Sequence, residues 1–130
     1  MLTTLRTLTC VTRSLVVKAT SGADRPEAAN QAFTVAAAAV AAGADVSLWL
    51  TGESAWFALP GRADELVLEH ATPLSDLLAV VLVEGRVTVC SQCALRRGIT
   101  ADAVIPGVRV AGAPVFVEEA LAEGAQALVY

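Results

Sequence analysis

Charge is scarce in these 130 residues: Asp, Glu, Lys and Arg make up 17% of the chain, against 55% hydrophobic residues. So apolar a soluble protein has to hide its surface, either in a sheet covered on both faces or in contacts between subunits. Basic residues number nine and are scattered, and thirteen acidic residues bring the net charge to -4. That balance excludes a phosphate-binding face, so no nucleic-acid partner is expected. Long apolar runs are missing too. Asn30, Gln31 and Thr34 interrupt the alanine-rich segment and Glu84 closes the Leu77 to Val83 run. Neither reaches the roughly eighteen residues of a membrane span, and the protein reads as soluble and cytoplasmic.

Three cysteines are too few for a disulfide scaffold. With a single histidine, a zinc site would have to draw on Cys10, His70, Cys90 and Cys93, which lack ligand spacing. No metal and no cofactor is expected, and His70 reads as a surface residue in a polar stretch. Residues 1–14 carry Arg6 and Arg13 and no acidic residue, but show neither the continuous apolar region nor the cleavage site of a secretory signal. Without internal repeats or low-complexity linkers, the expectation is one domain over residues 1–130, with 1–14 as a leading segment and Cys10 a bystander within it.

What the chain has in abundance is alternation. Leu15 to Thr20 is a short apolar run stopped by Ser21-Gly22, as expected of a central strand and its loop. Asp24 and Glu27 form a capping-box pattern with Pro26 in the first turn, predicting a helix to about Ala42, which Gly43 ends before a strand over Asp45–Leu50. Ser54 to Leu59 reads as a short helical piece broken by Pro60-Gly61, and Leu66 to Leu68 as a short edge strand. Thr72 and Pro73 predict the cap and first position of a helix whose buried stripe is Leu77, Leu78, Val81 and Leu82. A strand over Val87–Cys90, a short helix, a strand or bridge at Val108–Val110, a helix from Gly112 to Glu123 and a strand over Ala125–Tyr130 complete the series. Repeated βα units predict an α/β fold: a three-layer α/β/α sandwich around a mainly parallel sheet of about five strands.

The locally concentrated chemistry lies in Arg86 to Gly98, where Val87-Thr88-Val89 ends on Cys90 and is followed by Ser91, Gln92, Cys93, Arg96, Arg97 and Gly98. A thiol at a strand-to-helix junction faces unpaired N–H groups and the positive end of the helix, both of which favour thiolate. Cys90 is therefore the candidate nucleophile. Ser91 or the sulfur itself is placed to cap those amides, and Arg96 and Arg97 add positive charge one to two turns on. Cys93 is a candidate resolving thiol. A thioredoxin-like redox pair and a merely structural pair of buried cysteines stay open as readings.

At Cys90 to Gly98, and in the opening unit where Thr20-Ser21-Gly22 precedes an Ala-rich helix and Gly43-Ala44-Asp45-Val46, the chain resembles the DsrE/DsrF-like sulfur-relay family, with its TusD-type carriers and YchN-like proteins. The resemblance spans most of residues 15–130. It implies a flavodoxin-like fold, assembly into homotrimers or homohexamers, and a persulfide on Cys90, received from a donor protein and passed to an acceptor. A second function class is a non-catalytic oligomeric module that binds a small ligand or partner protein in a cleft between Ser21-Gly22, Trp56 and Cys90. Trp49 and Trp56 read first as cover for the core or for a subunit contact.

Overall fold

The computed structural model describes residues 12–130, so Cys10 lies outside the described residues. Among the described residues five strands form one sheet: β1 (Ser14–Ala19), β2 (Asp45–Leu50), β3 (Arg86–Cys90), β4 (Val108–Ala111) and β5 (Ala125–Val129). Every pairing is parallel, in the order β4-β3-β2-β1-β5. The near-continuous apolar runs of β1 and β2 follow from this, because a parallel strand inside a sheet is covered on both faces.

The connections fix the layers. From β1 to β4 each strand steps to the next place in one direction, through α1 (Pro26–Ala41), α2 (Leu74–Glu84) and α3 (Ser91–Arg96). Right-handed crossovers put these helices on one face. There α1 buries Ala29, Ala32, Phe33 and Ala36 at helical spacing, and Phe33 meets Phe57 edge-on at 5.6 Å. After β4 the chain turns back across the whole sheet to β5, so α4 (Ala113–Ala120) covers the opposite face. That face carries Lys18, Trp49, Thr88 and Arg109, brought level by the strand register, and Ser47 two residues before Trp49. The α/β/α sandwich with a parallel five-stranded sheet is thus the observed architecture.

Several local expectations differ from the structure. Asp24 does not cap α1; its Oδ1 accepts the Gly22 N–H at 2.8 Å, closing the turn after β1, and Arg25 is the capping residue without a side-chain bond. Pro73 stands one position earlier than expected, as the cap of α2, while the carbonyl of Thr72 accepts the Asn30 side-chain amide at 3.3 Å. Leu66 to Leu68 is irregular rather than a strand, following a 3-10 turn at Ala63–Glu65. Competing turn chemistry accounts for the first, since the short Asp24 side chain bonds a backbone N–H two residues back instead of the helix start.

Coverage of the two faces is unequal. Beyond Ile99 no residue is fully buried, α4 included, and Val117, Leu121 and Val129 stay 48%, 79% and 64% exposed. Among the described residues no helix is long and apolar enough to cross a membrane.

Candidate functional site

Cys90 is the last residue of β3 and the capping residue of α3, with extended backbone (φ -64°, ψ 127°). Next to it in register lies Ala111, the last residue of β4. The connection after β3 runs onto the first face and the one after β4 onto the second, so the carboxyl ends of these two strands mark the switch point of the sheet. Open α/β sheets place their ligand crevices at such points. Here the crevice is narrow: a Cβ on Gly112 would stand 3.1 Å from Ser91 Oγ, so glycine lets the start of α4 close against the start of α3.

The Cys90 thiol is half-buried and lines a pocket of about 60 Å³ with Lys18, Trp49, Thr51, Ala113 and Phe116. Burial alone pushes its pKa up. The Cys93 amide, the Cys93 thiol, the Gln92 amide and the charge of Lys18 outweigh this and hold the pKa below the ordinary thiol value. No capping bond of full geometry forms at Cys90, so the amides act on the sulfur as oriented dipoles at the helix start.

Cys93 is held from the other side. The N–H of Gly52 donates to its sulfur at 3.2 Å, and both cysteines are free thiols. Gly52 (φ 51°) itself sits so close to β1 that a Cβ would lie 2.6 Å from the Thr20 carbonyl. The 3-10 segment Gly52–Ala58 is locked onto the loop after β1 by the Ser54 hydroxyl, which donates to the Ser21 carbonyl.

The arginines lie elsewhere. Arg97 donates to Glu53 Oε2 at 2.8 and 3.1 Å and to the Cys93 carbonyl at 3.1 Å, while Arg96 is exposed in the last turn of α3. The cation whose charge favours the Cys90 anion is Lys18, the chain's one lysine, which the sequence did not single out. Ser21 and Gly22 are buried against Glu53 and Ser54. Trp56 is stacked by Arg62, 4.5 Å above its ring, and lines a separate cavity of about 120 Å³ with Ala23, Glu53 and Glu65. Ser21-Gly22, Trp56 and Cys90 therefore share no single cleft. Ser91 and Gln92 form the first turn beside the thiol. His70 sits on an exposed turn with positive φ beside Glu69, and among the described residues no three His, Cys, Asp or Glu side chains gather as metal ligands.

The second face contributes a connected polar group. Glu119 on α4 accepts the Ser47 hydroxyl at 2.6 Å, the Trp49 indole N–H at 2.9 Å and the Arg109 guanidinium at 2.6 Å; Arg109 also donates to Thr88 at 2.9 Å. Burial works to raise the Glu119 pKa, and the bonds from Arg109, Ser47 and Trp49, with the Arg109 charge, hold it below the usual glutamate value. One turn before it, Phe116 meets Trp49 edge-on at 5.4 Å and roofs the Cys90 pocket. None of Lys18, Thr51, Phe116 and Glu119 was marked by local sequence. The strand parity shared by Lys18 and Trp49 carried a signal only once the strand order was known.

The chain belongs to the DsrE/DsrF-like family, whose model matches residues 13–130. Its fold is similar to that of the YchN protein from E. coli, with a TM-score of 0.75 over 92% of this chain and 100% of that one. At 17% identity this likeness shows the fold alone. No curated protein matches the chain in sequence.

Proposed function

We propose that this protein is a sulfur-relay carrier that takes sulfane sulfur as a persulfide on Cys90 and hands it to an acceptor thiol. The observation that carries the reading is the half-buried Cys90 sulfur, at the switch point of the sheet, with its pKa drawn below the ordinary thiol value. A carrier needs a thiolate to accept sulfur and a leaving group of low basicity to release it, and one lowered pKa serves both steps. Half-burial leaves the sulfur within reach of a donor. Cys93, whose thiol is directed at the Cys90 sulfur, is the resolving residue: when no acceptor is present its thiolate attacks the Cys90 sulfur of the persulfide, the S–S bond breaks, the outer sulfur leaves as hydrosulfide, and an external thiol reduces the resulting Cys90–Cys93 disulfide.

The carrier works in the cytoplasm as a homotrimer or homohexamer, exchanging sulfur with donor and acceptor proteins. Support for assembly comes from the apolar side chains of Val117, Leu121 and Val129, left open around α4. The test of function is intact mass after incubation with a persulfide donor. Wild type and Cys93→Ser gain one sulfur atom that dithiothreitol removes, and Cys90→Ser gains none.

A further inference from the structure

Lys18 on β1 and Cys90 at the end of β3 stand on either side of β2, and both line the pocket roofed by Phe116. At about 60 Å³ the pocket has room for a few water-sized groups and no more. Trp49, Phe116 and Ala113 make most of its wall apolar, and Thr51 adds one hydroxyl. The Lys18 ammonium lies 5.3 Å from the centre of the Phe116 ring, a cation–π contact that keeps it under the roof. Glu119, the carboxylate on the same face, is engaged by Arg109, Ser47 and Trp49. Among the described residues no carboxylate forms an ion pair with Lys18. An apolar pocket with one uncompensated cation and a nucleophile selects for a small, singly charged anion.

We propose that the Cys90 pocket is an anion-selective sulfur site in which Lys18 holds the charged outer sulfur of a persulfide. This rests on the reading of Cys90 as a sulfur carrier. In loading, the Cys90 thiolate attacks the outer sulfur of a donor hydropersulfide, R–S–SH. A new S–S bond forms as the donor's S–S bond breaks, and the electron pair leaves on R–S⁻. The product, Cys90–S–SH, loses its proton to water and becomes Cys90–S–S⁻ beside the ammonium. In delivery the outer sulfur takes a proton back from water, an acceptor thiolate attacks it, the Cys90 S–S bond breaks, and the electron pair returns to Cys90 as thiolate. The transferred sulfur keeps its oxidation state throughout. The resting thiolate and the persulfide anion both place their charge beside Lys18, and only the protonated Cys90–S–SH between them is neutral.

The test compares two alkylating reagents of similar shape and different charge, iodoacetate and iodoacetamide, on the full chain, reading modification at Cys90 by peptide mass. The thiolate fraction enters both rates equally, so their ratio isolates the charge in the pocket. Lys18→Gln is expected to lower the iodoacetate-to-iodoacetamide ratio at least about threefold, and Lys18→Arg to keep it. In wild type the ratio should fall as salt is raised. An unchanged ratio in folded Lys18→Gln overturns the proposal; should that variant not fold, a wild-type ratio indifferent to salt does the same. Sulfur loading from a persulfide donor is measured in parallel. Loading without a Lys18-dependent ratio removes the anion site alone, whereas a Lys18-dependent ratio without loading removes the carrier reading.

Discussion

The indole N–H of Trp49 donates to Glu119 at 2.9 Å, and that bond ties the middle strand of the sheet to the helix that roofs Cys90. Trp49 is 1% exposed and the Glu119 side chain 15%, so the pair is sealed between sheet and helix. With Ser47 and Arg109 as further donors, the carboxylate is the anchor of α4, a helix that buries no side chain fully and has little apolar packing to hold it.

Glu119→Ala should therefore cost about 2–4 kcal/mol in chemical unfolding, because the Trp49 and Ser47 donors and the Arg109 charge lose their shared acceptor. The pH dependence has a definite sign. A carboxyl whose folded pKa is depressed contributes stability that is present above its unfolded value and lost as pH falls through the folded one. The gap in urea midpoint between wild type and variant should hold at pH 7 and narrow below about pH 4.3, the ordinary glutamate value.

Gly52→Ala meets two obstacles, a φ of 51° and a Cβ placed 2.6 Å from the Thr20 carbonyl. Gly43→Ala meets only a positive φ, of 90°, since nothing lies within 4 Å of its Cβ. The Gly52 variant should lose about 1–3 kcal/mol, more than the Gly43 variant, in parallel denaturant titrations. It should also alter Cys93 alkylation, because the N–H bonded to that sulfur has to move. Equal losses would show that the β1 loop yields freely.

Cys93→Ala removes a thiol that stabilises the Cys90 anion, while the Cys93 and Gln92 amides remain. The midpoint of the Cys90 alkylation profile should rise in Cys93→Ala and rise less in Cys93→Ser, whose hydroxyl still donates. Sulfur loading should persist in both.

Leu121 is 79% exposed beside the half-exposed Val117. Leu121→Glu should leave the monomer's stability within about 0.5 kcal/mol, as surface changes usually do. If α4 lies at a subunit contact, sedimentation should show the variant as a smaller species than wild type. Wild type sedimenting as a monomer at micromolar concentration would remove the assembly from the account.

The sheet was legible because its strands are short apolar runs bounded by glycine and polar turns, and β2 falls on the residues its pattern marked, Asp45–Leu50. Cys90 was legible because a strand ending in a thiol before a short helix is a local pattern. What escaped depends on partners distant in sequence. Arg97 reads locally as a charge for the thiolate, but Glu53, presented by the turn after β2, takes it. Lys18 reads as one polar interruption in a strand, and only the order β3-β2-β1 turns it toward Cys90. The anchor of Glu119, Trp49 and Arg109 needs the crossover from β4 to β5, which no local window contains.

Whether Cys90 is the activated thiol is decided by its rate of alkylation across pH, resolved from Cys93 and Cys10 by peptide mass. Cys90 should react first near neutral pH, with a midpoint below the ordinary thiol value of about 8.5. A midpoint at that ordinary value, or faster modification of Cys93 or Cys10, would contradict it.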